Sequence, residues 1–423
     1  MNRFFLWELA LTGLSLQLAV AQSLPHPDFA GLYRDVPRVM VETRREGDSL
    51  RLYVRLPAGG GAVPSRRLRV TAWANYEAPA PLWQDSIPRR QQHLRPDATG
   101  GTRASFCVAA TRVPAGTVLQ IQTGPVGPPT AAQDAANSTW LALTAERLDR
   151  PFVVTDSAGL PLLRSYVRAG EMFRMDNYGL IQPVRLRRYA VPPTPALPPM
   201  ANPATAAGGP PTLPLLDSVF ARTGQLLRCD EPSLLALRVG GVGDQAPRTV
   251  GLLIANSDYP NLRTASQLIE PLRYLTSTAE HRRLTGAADS KRAVDEFWLG
   301  AAHDNQATGK ALIRSYYGRV AAANRLFTAH KAGFLTDRGL LYVVLGPPQS
   351  VHRLATGDEE WSYAQVGPSG PLTFSFRPRP STFAPDNYEL VRHPEYEKLW
   401  YGAVQQWRTG QTAPSVPTDP SGR

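Results

Sequence analysis

Residues 333–348 read GFLTDRGLLYVVLGPP, and the order of residue types in this stretch restricts the backbone more than any other part of the chain. Gly333 can adopt the positive φ that ends a helix, and Thr336 and Asp337 can accept hydrogen bonds from neighbouring backbone N–H groups in a turn. Gly339 relaxes the entry to the next run, and residues 340–345 are continuously apolar and rich in β-formers. Gly346, Pro347 and Pro348 stop that run, because two of them lack a backbone donor. The stretch therefore reads as helix end, tight turn, buried strand and stop. The simplest role for it is a structural corner; the sharper one is a binding loop.

The chain opens with Arg3, then an apolar run over residues 4–20, then Ala19-Val20-Ala21 before Gln22. This is the pattern of a secretory signal with a small-residue cleavage site. The 17-residue run contains Glu8 and Gln17, so it is a poor match to the ~20 apolar residues that a spanning helix needs, and no later segment approaches that length. The expectation is an exported protein, periplasmic or outer-membrane-associated, with no transmembrane segment in the mature chain.

The rest of the 423-residue chain exceeds one core, and two or three domains are expected. Residues 22–148 carry short strand patterns at 39–43, 49–56, 68–73, 104–109 and 117–121, separated by Gly, Pro and Asp. Residues 149–257 repeat the pattern at 152–154, 162–167, 184–189, 234–239 and 250–254. Both regions read as all-β and sandwich-like. Residues 191–214, dominated by Pro, Ala, Gly and Thr, interrupt the second region and read as extended or mobile, either a linker or a long loop.

Near Tyr259 the period changes. Ser277 can cap a helix over 278–284, and Ser290 a second one that carries Phe297 and Trp298. Residues 310–327 are amphipathic through Ile313, Tyr316, Tyr317, Val320, Asn324 and Phe327. Strands follow at 361–363 and 372–376, then a closing helix over 394–407 with Tyr396, Leu399, Trp400, Val404 and Trp407 on one face. Residues 258–408 thus read as an α+β domain, and 409–423 as a disordered tail. The fold expected is multidomain: two N-terminal all-β sandwich-like domains followed by a C-terminal α+β domain.

Residues Gly333, Phe334, Leu335, Thr336 and Asp337 resemble the GWxTD motif that names a family of exported bacterial envelope proteins, with Phe334 standing where the family has Trp. The likeness continues through Phe297-Trp298, Tyr316-Tyr317, Arg319-Val320, Ala323-Asn324 and Phe327, and then through Arg338-Gly339, Gly346-Pro347-Pro348 and Glu360-Trp361-x-Tyr363. It covers residues 259–408. One more departure is the absence of an acidic-proline step after Trp298, where Leu299-Gly300-Ala301-Ala302-His303-Asp304 stands. The family has no assigned biochemical activity. The resemblance implies an envelope location, and Trp298, Tyr316, Tyr317, Asn324, Gly333, Thr336, Asp337, Arg338 and Trp361 as binding candidates. At their helical and strand spacing the aromatic members are more simply core residues.

Several chemistries are excluded. Residues 241–246 mimic a dinucleotide loop, but Pro247 and a strand pattern follow where a helix must receive the pyrophosphate. Gly309-Lys310 lacks the upstream glycine and the following hydroxyl of a phosphate loop, and no HExxH, GxSxG or metal-spaced cysteine pair occurs. Five of the seven histidines lie after residue 280, but none are three or four residues apart. No cofactor or metal is expected.

The net charge of +11 comes from arginine, since Lys291, Lys310, Lys331 and Lys398 are the only lysines. Export argues against a nucleic-acid partner and for an envelope protein or glycan. Cys107 and Cys229 lie in separate β regions and read as two small buried side chains rather than a bridge. The sharpest polar group is Asp337, Arg338, His352, Glu359 and Glu360. Two functions stay open: a non-catalytic binding or scaffold protein, or a hydrolase of an envelope polymer with Asp337 and Glu360 as its carboxylates and His352 beside them.

Overall fold

The computed structural model describes residues 27–57, 67–96, 100–124, 137–179, 181–191, 194–202, 213–240, 248–364 and 371–411. The signal-like segment 1–21, the glycine loop 241–246 and residues 412–423 of the tail lie outside the described residues. Antiparallel sheets fill the N-terminal part, and the larger helices lie between residues 265 and 408.

The first β region holds β1 (Met40–Glu46), β2 (Ser49–Leu56), β3 (Arg67–Trp73), β4 (Trp83–Ile87), β5 (Arg95–Pro96), β6 (Thr102–Ala109), β7 (Val118–Gly124) and β8 (Ser138–Ala142), then a short helix, α1 (Ala145–Asp149). They form two sheets, ordered β1-β2-β6-β5 and β4-β3-β7-β8. Strict alternation explains the layering: Leu50, Leu52, Val54 and Leu56 of β2 point inward and meet Leu68, Val70, Leu119 and Ile121 of the other sheet in one core.

The second region holds β9 (Val153–Asp156), β10 (Tyr166–Arg168), β11 (Met172–Asp176), β12 (Pro183–Tyr189), β13 (Leu215–Arg222), β14 (Leu227–Arg228), β15 (Ser233–Val239) and β16 (Arg248–Ala255). A five-stranded sheet, β10-β16-β15-β12-β13, shares a core with the three strands β14-β11-β9. The β10–β16 pair is parallel. Within these two regions strands β4, β5, β8, β11, β13 and β14 were not expected. β13 exposes Leu215, Leu216, Val219 and Phe220 at the sheet edge, so it lacks the half-buried alternation that marks a strand in sequence.

The C-terminal part holds α2 (Ala265–Ile269), α3 (Thr278–Thr285), α4 (Ser290–Ala301), α5 (Gln306–Phe327), α6 (Asp337–Leu345), the meander β17 (Ser350–Arg353), β18 (Glu359–Tyr363), β19 (Leu372–Pro378) and β20 (Tyr388–Leu390), and α7 (Glu397–Arg408). Capping boxes at Thr264 with Gln267 and at Ser277 with Glu280 start α2 and α3, and Asp289, not Ser290, caps α4. Trp298, Tyr316 and Trp407 pack edge-on or tilted at 5.1–6.4 Å between ring centres, joining α4, α5 and α7.

Three expectations are corrected here. The run 340–345 is the helix α6, not a strand: Thr336 caps its N-terminus, and its short apolar sequence is buried on all sides, where period cannot separate helix from strand. Part of the Pro-rich segment is ordered. Ala196 N–H donates to Leu335 O at 2.9 Å, Pro199 O accepts from His393 N at 3.2 Å, and Ala196 is buried in the C-terminal core. Tertiary hydrogen bonds supply the order that its composition cannot. Finally, Cys107 is exposed and Cys229 half-buried, and both thiols are free.

The three parts interlock. Phe29, Ala30 and Tyr33, which precede β1, belong to the C-terminal core rather than to the first β region, and Phe29 meets Tyr76 and Trp140 of that region at 5.6 and 5.3 Å. Gly251 of β16 is overlaid by the loop after β19: its N–H donates to Thr382 O at 2.8 Å, and a Cβ there would meet Phe383 Cα at 2.3 Å.

Glu280 also ties α3 to α7. Its carboxylate accepts from Ser277 N at 2.7 Å and from Arg408 at 2.9 and 3.1 Å. The Arg408 bonds, then the Ser277 amide, lower its pKa to about 2. Because the folded value lies below the unfolded one of about 4.3, the stabilisation is present at neutral pH and lost as pH falls through about 4 to about 2. Glu280→Gln is therefore expected to lower stability by about 1 kcal/mol near pH 7, with the difference from the native chain closing toward pH 2 in denaturant titrations.

Candidate functional site

The stretch 333–339 forms a close stack of backbones. A Cβ on Gly333 would lie 2.1 Å from Ala323 O of α5, and one on Gly339 would lie 1.9 Å from Gly333 O. Both glycines are needed for close approach; Gly333 does not take the positive φ expected of a helix end, whereas Gly346, at φ 90°, does so after α6.

The polar atoms of the stretch turn inward. Asn324 Oδ1 accepts from Phe334 N at 3.1 Å while its Nδ2 donates to Pro260 O at 2.8 Å, and the side chain is fully buried. Tyr274 OH donates to Phe334 O at 2.9 Å, and Gly333 N donates to Tyr259 OH at 3.2 Å. Thr336 Oγ1 accepts from Gly339 N at 3.1 Å and donates to Gly333 O at 2.7 Å. Asp337 reaches across to β20: its carboxylate accepts from Leu390 N at 2.7 Å and from Arg392 at 2.6 Å. At the far end of α6, Arg319 and Trp407 donate to Val344 O at 3.1 and 3.0 Å, satisfying a carbonyl that the helix leaves open.

Beside this corner lies a buried charge cage around Glu359, which has no exposed surface. Tyr33 OH donates to Glu359 Oε1 at 2.5 Å, Trp361 Nε1 donates to Oε2 at 3.2 Å, and Arg353 and Arg338 lie at 2.9 and 3.7 Å. Arg338 stands between the Phe327 and Tyr388 rings at 5.3 and 4.3 Å, and Arg353 between Phe29 and Tyr76 at 4.9 and 5.1 Å. Burial opposes charge on Glu359, but the two guanidiniums and the two donors outweigh it and hold the carboxyl below its usual range. Burial pushes the Tyr33 phenol up to about 12, so it remains a donor at neutral pH. Arg338 also donates to Asp386 O at 2.7 Å, and the Asp386 carboxylate pairs with Arg147 of α1 at 2.6 Å.

The candidates thus divide. Trp298, Tyr316, Asn324, Gly333, Thr336 and Trp361 are buried, Tyr317 is half-buried with its hydroxyl on Leu268 O at 2.9 Å, and Asp337 and Arg338 are held in ion pairs. Glu360 does not join Asp337. It alternates with the buried Glu359 and Trp361 on β18, faces the other side of the sheet, and stands opposite the exposed His352 on β17. The alternation of Glu359 with Trp361 and Tyr363 marked Glu359 as the inward carboxylate. Tyr33, Tyr76 and Arg392 carried no such signal, because they arrive from distant segments.

A second concave region lies between the β regions, a cavity of about 640 Å³ lined by side chains of β1, β2, β5 and β6 on one side and by residues 159–163 and Tyr178 on the other. Arg44, Arg51, Arg95 and Arg103 contribute to its lining, with Glu46 as the acidic member. Among the described residues no group of His, Cys, Asp and Glu could hold a metal ion, and no helix is long and apolar enough to cross a membrane.

Residues 241–409 match a family model described as the GWxTD domain. That range begins before Tyr259 and takes in β16, a strand of the second β region. No curated protein matches the chain. Among solved structures, a titin A168–A169 fragment is 11% identical, with 51% of this chain and 97% of that chain covered, at a TM-score of 0.14. Native alpha-2-macroglobulin from Escherichia coli, spanning domains MG0-NIE-MG1, is 11% identical over 54% of this chain and 75% of that one, at 0.14. A complex of Dpr11 IG1 with DIP-gamma is 8% identical over 52% and 99%, also at 0.14.

Two outcomes follow for stability. Gly339→Ala forces backbone apart and is expected to destabilise by about 3 kcal/mol or more, whereas Gly300→Ala, with open space around it, should be neutral or slightly stabilising in the same chemical denaturation series. Glu359→Gln leaves two buried guanidiniums without their carboxylate and is expected to cost about 3–5 kcal/mol at pH 7. Since the Glu359 pKa is lowered in the fold, that difference should shrink as pH falls below the usual carboxylate range.

Proposed function

We propose that this chain, which contains a GWxTD domain over residues 241–409, is an exported bacterial envelope protein that binds a protein or glycan partner and catalyses no reaction. The observation that carries the reading is the use of the motif's polar atoms: Thr336, Asp337 and Asn324 are engaged in bonds that hold α5, α6 and β20 together. Both oxygens of the Asp337 carboxylate are engaged, Oδ2 by Leu390 N and Oδ1 by Arg392, and Glu360 lies on the opposite face of β18 from Glu359 and Trp361. This arrangement weighs against Asp337 and Glu360 as a hydrolytic pair, which needs two carboxyl groups facing one bond.

We take the organisation to be a removed leader over 1–21, sandwich-like regions over 22–148 and 149–257, the α+β region over 258–408 and a tail over 409–423. The two sheet pairs, each closed on its own apolar core, support the sandwich reading. Residues 28–33 and the strap 194–202 then serve as ties between regions. The partner surface falls to the β regions, whose outer faces carry arginine, and not to the buried motif.

Asp337→Asn tests the reading. It breaks an ion pair whose Asp337 member is buried and is expected to lower stability by about 1–3 kcal/mol while a partner captured from envelope extract by the native chain is still captured by the folded variant. Shortening of envelope polymer by the native chain, abolished in an Asp337→Asn variant of unchanged stability, would overturn the proposal in favour of a hydrolase.

A further inference from the structure

Residues 191–213 form a long connection that the sheet on either side of it does not need. Strands β12 and β13 pair as far as Tyr189 and Leu215, and Ala190 N donates to Pro214 O at 3.0 Å, so the hairpin is closed before the connection leaves it. Hairpin loops usually take about 2–5 residues, and loops beyond about 12–15 residues tend to carry a function of their own. Residues 194–200 of this connection read TPALPPM and run across the C-terminal region, with Ala196 in its core and Met200 packed against that core.

The order of residue types prepares this segment to be bound. Pro195, Pro198 and Pro199 restrict their own φ to about −65°, and Thr194, Leu197 and Pro198 each precede a proline, which holds them extended. These restraints favour a left-handed extended strand with three residues per turn. The burial follows that period: Ala196 and Pro199 are buried, while Leu197 and Pro198 between them are exposed. Among residues 195–199 only Ala196 and Leu197 retain a backbone N–H, so the strand offers carbonyls more than donors. The surface beneath answers with donors. Lys331 Nζ donates to Thr194 O at 3.0 Å, Arg392 to Leu197 O at 3.3 Å and His393 N to Pro199 O at 3.2 Å. In return Ala196 N donates to Leu335 O at 2.9 Å, and Leu335 belongs to the motif's turn. Asp337 holds Arg392 in place by accepting from the same guanidinium nitrogen at 2.6 Å. All four bonds use the strand's main chain, so side-chain identity enters at the buried positions, 196 and 199.

We infer that the rim of the motif corner, with Lys331, Leu335, Arg392 and His393, is a recognition groove for extended peptides that place alanine or proline at every third position, and that residues 194–200 occupy it as a tethered ligand. A strand already held extended by its prolines loses little conformational freedom on docking, which suits it to this mode of recognition. The site goes beyond the reading above, since it lies apart from the partner surface on the β regions. A segment of another protein with the same pattern enters by displacing the strap. The hairpin stays closed at Ala190 and Pro214 whichever strand fills the groove, so displacement leaves the sheet intact.

The test uses the full chain and an open variant in which residues 194–200 are replaced by glycine and serine. Each is titrated by fluorescence anisotropy with a labelled peptide that has the sequence of residues 191–202. The open variant is expected to bind it, and the native chain to bind it roughly tenfold or more weakly, because the tethered strap competes at an effective concentration on the order of millimolar. A peptide of Ala-Pro-Pro repeats should bind the open variant within about tenfold of the native sequence. Oligoproline lacks the amide that Ala196 donates to Leu335 and should bind roughly tenfold or more weakly than the repeat peptide. Hydrogen exchange of the native chain needs no variant: excess Ala-Pro-Pro peptide should speed exchange over residues 194–202 and leave β12 and β13 unchanged. A strap that is only a structural tie predicts binding of the native sequence alone and no displacement. No binding by a folded open variant, binding of the native sequence alone, oligoproline as tight as the repeat peptide, or unchanged exchange over the strap would each overturn the inference. These outcomes leave partner capture by the β regions untouched.

Discussion

The contact on which the C-terminal architecture depends is backbone against backbone: α5 against the turn at Gly333, and that turn against Gly339 at the start of α6. No side chain fits at either glycine, so the distance between the two helices is set by main-chain atoms and not by a compressible layer of methyl groups. Everything downstream takes its position from that spacing. Asn324 can bridge Phe334 N–H and Pro260 O only because the turn lies against α5, and Asp337 can meet Leu390 only because α6 begins where Thr336 caps it. A motif of this kind reads as chemistry in the sequence, since Thr and Asp are reactive residue types, yet its reactive atoms are consumed in holding a corner.

The charge cage extends the same logic from one region to the next. Glu359, Arg338 and Arg353 are expensive to bury singly and become tolerable as a set, with two aromatic rings on each guanidinium and two neutral donors on the carboxylate. Its members come from three places: Tyr33 from ahead of β1, Arg353 and Glu359 from the meander, and Arg338 from α6. Through Asp386 and Arg147 the network reaches α1. The geometry therefore encodes which segments must be present together, a form of specificity that apolar packing alone supplies less sharply.

How much of this was legible in the sequence depends on what fixed each element. Strands with strict alternation, such as β2 and β12, a helix with a capping signal, α3, and one with a clear amphipathic period, α5, were readable because local chemistry and tertiary placement agree. The run 340–345 was not, because a segment buried on every side shows no period, and Gly339 was read as a relaxed entry when its role is closeness. β13 was missed because its apolar residues face outward. At the candidate site, Asp337 and Arg338 were in view, but Glu360 was chosen where the parity of Trp361 and Tyr363 points to Glu359.

Strand β16 belongs to two accounts at once. It hydrogen-bonds β15 and β10 inside the second β region, yet it lies within the stretch that matches the C-terminal family, and Gly251 at its centre is clamped by Thr382 and Phe383. The unit that recurs in sequence and the unit that closes a sheet are thus offset by one strand. A C-terminal fragment cut at residue 258 would lose β16 and uncover the loop around Phe383, while one cut at 241 would carry β16 as an orphan strand and leave β15 and β10 each with a raw edge. The smallest autonomous piece of this molecule must include both.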